Sequence, residues 1–384
     1  MNYFLSEEEK LLVELVNRIG RDYIAPHALR WDEEEAYDPA PIRALAQADL
    51  FGLVIPEEYG GLGWGTLALC LAVEHLSRYC PGVATTYAAS FLGAYPILLF
   101  GTKEQKARYL PEVASGRKLC AFALTEPQAG SDAAAIKTRA VREGDHYVLN
   151  GIKQWITNGG IADLYVIIAV TDPRKGARGA SAFIVEKGDP GFAVGRQEKK
   201  MGLRASVTTE LFFTDCRIPK ERLLGREGLG FIVAMRTLDY ARVGVGAQAV
   251  GLAQGAFERA LNHARRRVQF GQPVYHFQAV GHTFSEMAMR IEAARALVYQ
   301  AARTIDAGAK EISGPSAMAK AFATDVAMWV AERAVQMMGG YGYMRDYGVE
   351  KLMRDAKCLQ IYEGTNEIQR EVLARELLKY YREA

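Results

Sequence analysis

The sequence predicts a mostly α-helical protein with a central β domain. Apolar residues of the amino-terminal region recur at helical spacing, the pattern changes to a period of two near Cys120, and helical spacing returns from Phe231. No helix interrupts the β segments, so we expect an antiparallel sheet, either a small barrel or a sandwich. The predicted domains are residues 1–120 (helical), 121–230 (β) and 231–384 (helical bundle).

Composition and charge limit the possible functions. The chain has 384 residues, 49% hydrophobic and 24% charged, which is enough for two or three domains. The 47 basic and 45 acidic residues give a net charge of +2, which does not favour a nucleic-acid surface. The five cysteines are scattered and lack a C-x-x-C pair, so we expect reduced thiols and no metal site.

The amino terminus lacks the features of a targeting signal. Ser6-Glu7-Glu8-Glu9 leads into an amphipathic stretch, unlike a secretory or Arg-rich transit sequence. The longest apolar stretches, around Leu92–Phe100 and Leu164–Val170, are too short to span a bilayer. We therefore expect a bacterial cytoplasmic protein, or a mitochondrial matrix protein if the chain is a processed eukaryotic one.

Several local patterns define the predicted elements. Ser6 suits the N-cap of a first helix, and Gly60–Gly63 predicts a tight loop. The spacing of apolar residues from Phe284 to Ile305 predicts a buried helical seam, and Met318, Phe322, Val326 and Val330 mark another long helix. In the β region, Asn150-Gly151 predicts a type I′ hairpin turn between Tyr147–Leu149 and Ile152–Thr157.

The stretch Ile361–Arg370 contains a candidate base. Glu363 lies on a short non-helical link among apolar neighbours, where burial can raise the pKa of a carboxyl group. The alternative is a solvated Glu in a turn before a helix. Asn366 and Gln369 resemble a helix-starting cap.

Four further segments have both a binding and a structural interpretation. Phe122–Asp132 is a strand leading into a polar turn that could bind a ring edge or phosphate, or be a plain turn. Trp155–Gly159 places an aromatic beside a hydroxyl, which suits packing on a flat cofactor, although Trp155 considered alone is better explained as a core residue. Arg265–Arg267 could bind pyrophosphate or simply end a helix, and Gln336–Gly340 could cap a helix or approach a ligand.

Together these segments resemble the acyl-CoA dehydrogenase family over essentially the whole chain. The motifs that carry the resemblance are LTEPQAGSD, NGIKQWITNGG, LDYAR, RRRVQFG, QMMGG and LMRDAKCLQIYEGTNEIQR, in family order and spacing. The resemblance implies an N-terminal helical domain, an antiparallel β-barrel and a C-terminal four-helix bundle. It also implies FAD as cofactor and a homo-oligomer, usually a tetramer.

The resemblance also implies roles for particular residues. Glu363 would be the catalytic base and Thr157 would lie near flavin N5. FAD would contact residues of its own chain, namely Phe122, Leu124, Thr125, Gly130, Ser131, Trp155, Ile156, Thr157, Thr365 and Glu367. Residues reaching the FAD of a neighbouring subunit would be Arg267, Gln278, Gln336, Gly339 and Gly340, and Phe270 would also be a cofactor-binding residue. The acyl-CoA would meet Ser131, Asp239, Tyr240, Arg242, Glu363 and Gly364.

The implied reaction is α,β-dehydrogenation of an acyl-CoA thioester to a trans-2-enoyl-CoA. Glu363 would remove the α-proton, hydride would leave the β-carbon for the flavin, and an electron-transferring flavoprotein would accept the electrons. The segment from Met235 to Gly246 looks closest to short-chain and branched short-chain members. Some members place the base next to the arginine of LD-x-x-R, but here that residue is Ala241.

Two alternative functions use the same scaffold. One is a flavin oxidase or monooxygenase, against which Glu363 counts in the nitroalkane oxidase case because those enzymes use Asp as the base. The other is a non-catalytic flavoprotein that binds nucleic acid, which would need a basic face. Reactivity with oxygen distinguishes the first alternative, and salt-sensitive DNA binding distinguishes the second.

Overall fold

A computed structural model describes residues 3–380, and its first part is helical. The helices are α1 (Glu7–Ile19), α2 (Ala28–Glu33), α3 (Ala40–Gln47), α4 (Thr66–Ser77), α5 (Pro81–Phe100) and α6 (Lys103–Ala114). The predicted Ser6 cap is confirmed: Glu9 N donates to Ser6 Oγ at 3.1 Å and Ser6 N donates to Glu9 Oε2 at 2.7 Å. This reciprocal pair satisfies two backbone N–H groups at the helix start.

The middle of the chain forms a mixed sheet of eight strands within the described residues. The strands are β1 (Cys120–Ala123), β2 (Arg139–Glu143), β3 (His146–Thr157), β4 (Leu164–Val170), β5 (Ala180–Glu186), β6 (Phe192–Gln197), β7 (Thr208–Pro219) and β8 (Leu223–Leu224). Their order is β6-β7-β3-β2-β4-β5-β8, with β1 beside β4. The predicted β domain is confirmed, but its pairing is not purely antiparallel. Strand β1 runs parallel to β4, which the long connection between them allows.

The predicted Asn150-Gly151 hairpin is wrong. Strand β3 continues through both residues, and the turn lies earlier, at Gly144, where φ is +61° between β2 and β3. Gly151 instead marks an irregularity, because the pairing of β3 with β7 shifts between Leu149 and Gly151. A Cβ at Gly151 would lie 2.5 Å from Thr138 Oγ1, so close packing requires glycine there.

The remaining helices form the bundle: α7 (Gly230–Arg266), α8 (Gln278–Asp306), α9 (Ser313–Met338), α10 (Gly340–Tyr343), α11 (Val349–Leu359) and α12 (Asn366–Tyr380). The predicted seam on α8 is buried from Phe284 to Ile305. Helix α9 is confirmed, but Met318 and Phe322 are about two-fifths exposed while Val326 and Val330 are buried. Helix α7 packs against α9, α4 and α5, so it joins the bundle to the first helical region.

Helix α5 is longer than the apolar stretch that the sequence suggested. The helix has 20 residues, and an 18-residue window within it reaches a mean hydropathy of 1.4, so by length and composition alone it could cross a membrane. Within the fold 72% of that window is buried, and α5 packs against β1 and α7. A Cβ at Gly93 would lie 2.6 Å from Cys120 Cβ, which shows how closely α5 approaches the strand. These contacts are those of a core helix.

Candidate active site

A cavity of about 840 Å³ lies where the first helical region, the sheet and the bundle meet. Its polar wall comes from the turn after β1 and from the link between α11 and α12. The predicted site residues that line it are Phe122, Leu124, Thr125, Gly130, Ser131, Trp155, Ile156, Thr157, Tyr240, Arg242, Glu363, Gly364 and Thr365. The fold therefore brings together segments that are more than 200 residues apart in sequence.

Glu363 lies on the link between α11 and α12 and faces this cavity. Its backbone adopts the left-handed conformation, with φ of +53°, which is uncommon for a residue with a side chain. Its Oε2 is buried and has no hydrogen-bond partner among residues 3–380. Burial raises the pKa of Glu363 to about 7, although Arg242 and Lys320 oppose the shift. A carboxyl group in this state can accept a proton near neutral pH.

The backbone of this link is held by three buried side chains. Arg242 Nε donates to the Glu363 carbonyl oxygen at 3.3 Å, and Gln369 Nε2 donates to the same oxygen at 3.2 Å. Gln369 Nε2 also reaches the Gly364 carbonyl oxygen at 2.9 Å, and Lys320 Nζ donates to it at 2.8 Å. These bonds stabilise the left-handed conformation of Glu363, which would otherwise cost about 1–3 kcal/mol.

Arg242 is itself anchored by Asp239, one turn earlier on α7. The two side chains are buried and form an ion pair at 3.2 Å, and Ser313 Oγ donates to the second Asp239 oxygen at 2.6 Å. Burial raises the pKa of Asp239 despite these partners, and burial lowers the pKa of Arg242. Asp239 does not line the cavity; it contacts Arg242, which does, and its contact with substrate stays a prediction.

The polar turn after β1 is built on a buried ion pair. Lys153 Nζ lies 2.7 Å from Glu126 Oε1 and donates to the Leu124 carbonyl oxygen at 2.8 Å, and both side chains are buried. Burial lowers the pKa of Lys153 to about 8. Burial alone would raise the pKa of Glu126, but Lys153 and the nearby N–H donors hold it below its usual value. The pair supports the turn from below, so Gly130 and Ser131 can face the cavity with little around them.

Trp155 departs from the usual position of a tryptophan. It is 57% exposed, has φ of +58°, and stands where the pairing of β3 with β7 shifts between Lys153 and Ile156. The structural interpretation of Trp155 as a core residue is therefore wrong. A flat apolar surface beside the Thr125 and Thr157 hydroxyls and the open Gly130 backbone fits a planar ring system with polar edges.

The remaining predicted cofactor residues lie elsewhere. Arg267, Gln336, Gly339 and Gly340 line a second cavity of about 700 Å³. Phe270 is 94% exposed at the tip of the hairpin between β9 (Val268–Gln269) and β10 (Gln272–Pro273). Gln278 begins α8 and lines neither cavity, and Glu367 is exposed at the start of α12. The described part of the chain contains no group of His, Cys, Asp or Glu that could hold a metal ion.

Sequence reasoning assigned the cap of α12 to the wrong residue. The N-cap hydroxyl is that of Thr365, whose Oγ1 accepts from Ile368 N at 3.3 Å. Asn366 is buried against α9, and Gln369 holds the backbone of Glu363 instead of capping the helix. Lys320 was not anticipated at all. The sequence feature that could have identified it is a single lysine among the alanines of α9, on a face that is buried in the fold.

Comparison with known proteins agrees with this geometry. Residues 6–117, 121–216 and 228–378 match the N-terminal, middle and C-terminal domains of acyl-CoA dehydrogenases. The short-chain-specific acyl-CoA dehydrogenase of Clostridium acetobutylicum is 45% identical over 99% of this chain and 100% of its own.

Two solved structures are similar over almost their full length. Butyryl-CoA dehydrogenase from Megasphaera elsdenii has a TM-score of 0.96 and 45% identity, covering 98% of this chain and 100% of its own. A chain from a study of the electron transferring flavoprotein of Acidaminococcus fermentans has a TM-score of 0.96 and 48% identity, covering 99% and 100%.

The matches to all three domains place the chain among flavin-dependent oxidoreductases that act on a CH–CH bond. This chain belongs to the acyl-CoA dehydrogenase family, and its cofactor is FAD. Its substrates are acyl-CoA thioesters. The residues of the turn after β1, together with Trp155 and Thr157, are those that would hold the flavin.

Proposed function

We propose that the enzyme oxidises short acyl-CoA thioesters to trans-2-enoyl-CoA, with Glu363 as the base. The observation that carries the proposal is the Glu363 carboxyl group, which faces the cavity with Oε2 unpaired and a pKa raised to about 7. Bound FAD supplies the hydride acceptor for the β-carbon. The chain's own contribution is to bury the α-carbon beside Glu363, exclude water and accept the α-proton.

The position of the base follows from its support. Arg242 and Gln369 hold the Glu363 backbone, so the carboxyl group can gain a proton without losing a hydrogen bond that positions it. Arg242 also faces the carboxylate as a buried positive charge, which keeps the ionised form accessible. A preorganised base of this kind needs little rearrangement during proton transfer.

The preference for a short acyl group rests on the inner wall of the cavity. That wall is made of large and medium side chains from α4, α5 and α7, including Phe91, Leu92, Tyr95 and Leu238. The similarity to a short-chain-specific enzyme and to butyryl-CoA dehydrogenase supports the same choice. A branched short acyl group is part of the proposal.

The proposal includes a homo-oligomer and an electron-transferring flavoprotein as electron acceptor. The second cavity, with Arg267 and Gln336 in its wall and the exposed Phe270 nearby in sequence, supports a contact with the flavin of a neighbouring subunit. The similarity to a chain solved in work on an electron transferring flavoprotein supports the acceptor.

Anaerobic mixing of the FAD-loaded protein with a series of acyl-CoA substrates tests the proposal. The series runs from butyryl- to palmitoyl-CoA and includes isobutyryl- and isovaleryl-CoA. We expect bleaching of the flavin absorbance that is fastest with the short substrates. The bleached protein should persist in air and recover its colour on adding electron-transferring flavoprotein. No bleaching with any member would refute the reaction, and rapid recovery in air would indicate an oxidase.

A further inference from the structure

Lys320 is a fully buried lysine whose partners are uncharged. Its Nζ donates to the Gly364 carbonyl oxygen at 2.8 Å and to Asn366 Oδ1 at 2.8 Å. Among residues 3–380 no carboxylate lies within ion-pair distance of it. Burying an ammonium group without a counter-ion is costly, so a helix core would ordinarily place an apolar residue there.

The lysine belongs to a clamp that α9 forms on the link carrying Glu363. Thr324, one turn after Lys320, places its hydroxyl 3.1 Å from Asn366 Oδ1. Asp325 Oδ1 accepts from Asn366 Nδ2 at 2.7 Å and from Gln360 Nε2 at 2.7 Å. One face of α9 therefore holds both ends of the link, and Lys320 alone in this face reaches the Gly364 carbonyl at its centre.

We propose that Lys320 is a positioning residue of the active site, which anchors the Glu363–Gly364 backbone and supplies a second positive charge facing the Glu363 carboxylate. The inference rests on the proposed role of Glu363 as the base. Glu363 has φ of +53°, which is strained for a residue with a side chain, whereas the glycine at 364 adopts its φ of +93° freely, so the anchor opposes a conformational cost at Glu363. The charge matters because the carboxylate is buried and other donors do not reach Oε2 within the described chain.

The charges around Glu363 come from several elements. Arg242 on α7 faces it and is paired with Asp239. Burial raises the pKa of Tyr95 on α5, and Glu363 adds to that rise. The hydroxyl of Tyr362, the residue before Glu363, donates a hydrogen bond to Gln248 Oε1. Lys320 has its own pKa lowered by burial to about 8, an effect that Glu363 and Asp325 oppose and Arg242 reinforces. Removing the Lys320 charge should therefore make the Glu363 carboxylate harder to form.

Three variants separate the anchoring role from the charge. Lys320→Met removes both, Lys320→Gln removes the charge but keeps hydrogen-bonding capacity, and Thr324→Val removes an uncharged part of the same clamp. Each holoenzyme is reduced by butyryl-CoA from pH 5.5 to pH 8.5. The Glu363 carboxyl is also titrated by infrared spectroscopy without substrate, with Glu363→Gln identifying its band.

We expect both Lys320 variants to raise the pH midpoint of flavin reduction and of the infrared titration by about half to one unit. Lys320→Met should also lower the high-pH plateau of the rate by about tenfold or more, because the base is displaced. Thr324→Val should keep the wild-type midpoint. Unchanged midpoints in both Lys320 variants would overturn the proposal, since a purely structural lysine would not move them.

The outcomes distinguish this inference from the proposed function. If wild-type protein is bleached by acyl-CoA and the variants share its midpoints, only the role of Lys320 is wrong. If no acyl-CoA bleaches the wild-type protein, the proposed function fails, and the infrared titration still decides whether Lys320 controls the Glu363 charge. If Lys320→Met does not fold, Lys320→Gln carries the test of the charge.

Discussion

Arg242 holds Glu363 through its backbone: Arg242 Nε donates to the Glu363 carbonyl oxygen at 3.3 Å, while Glu363 Oε2 has no donor in the described part of the chain. The side chain that does the chemistry is thus separated from the bonds that position it. A base that accepted hydrogen bonds through its carboxylate would have those bonds weakened on gaining a proton, because an ionised acceptor makes the stronger bonds. This separation explains why changes to the carboxyl group and changes to the link should have different effects.

Replacing the carboxyl group should abolish chemistry while sparing the fold. Glu363→Gln keeps the shape and the backbone bonds but removes the base, so we expect FAD to be retained. Flavin reduction by acyl-CoA should slow by about 10²–10⁴-fold or more. Stopped-flow absorbance measures the rate, and Glu332→Gln, a change at a partly exposed residue of α9, is the control. Bleaching of the variant at a near-normal rate would remove Glu363 from its role.

The rate of flavin reduction should rise with pH through the neutral range. Glu363 acts only when ionised, and burial raises its pKa to about 7, so the ionised fraction increases between roughly pH 6 and pH 8. Above that range the rate should level off. A single-turnover pH profile with butyryl-CoA checks this. A rate already at its plateau at pH 5 would mean that the pKa of the Glu363 carboxyl group is not raised.

The same carboxyl group should reduce stability at high pH. Its pKa in the folded protein is about 7 against an ordinary 4.5, so folding favours the protonated form. The favourable contribution is complete below pH 4.5 and is lost as pH rises to 7. The free energy of unfolding of Glu363→Gln should therefore exceed that of the wild type by about 1–3 kcal/mol at pH 8, with a smaller difference at pH 5. Thermal unfolding of the holoproteins at both pH values measures this, and equal differences would contradict the shift.

Particular residues show what could be predicted from the sequence. The Ser6 cap and the α8 seam depend on near neighbours in the chain, and both were predicted correctly. Glu363 could be proposed because its motif and its position on a link were visible. The hairpin predicted at Asn150-Gly151 was wrong because the same dipeptide suits both a tight turn and a close approach to Thr138, and only the fold decides between them. Lys320 was missed because its partners, Gly364 and Asn366, are more than 40 residues away.

Adding one methyl group to the link should disturb both stability and rate. At Gly364 φ is +93°, and a Cβ would lie 2.5 Å from Gln369 Nε2, the donor to two carbonyl oxygens of the link. Gly364→Ala should cost about 1–3 kcal/mol and slow flavin reduction. Gly281→Ala on α8, where the nearest atom would be 3.6 Å away, is the matched control. The free energy of unfolding and the rate of flavin reduction are measured on the holoproteins. If Gly364→Ala matched the wild type in both, the link would tolerate a side chain there.

The ion pair below the polar turn should contribute unequally through its two members. Lys153→Met leaves Glu126 with its other donors, which include the backbone N–H groups of Lys137 and Thr138 at 2.6 Å and 3.0 Å. Glu126→Met leaves those N–H groups without an acceptor and the Lys153 ammonium without its counter-ion, with only the Leu124 carbonyl oxygen to accept from it. It should therefore be the more damaging change and cost about 3–5 kcal/mol. The double variant should lose less stability than the sum of the two single changes, because the lone lysine charge is gone.

Free energies of unfolding of the two single variants and the double variant complete the double-mutant cycle, and flavin absorbance per protein reports whether the turn still holds the flavin. Strict additivity would mean that the two side chains do not act together, and the turn would then need another support.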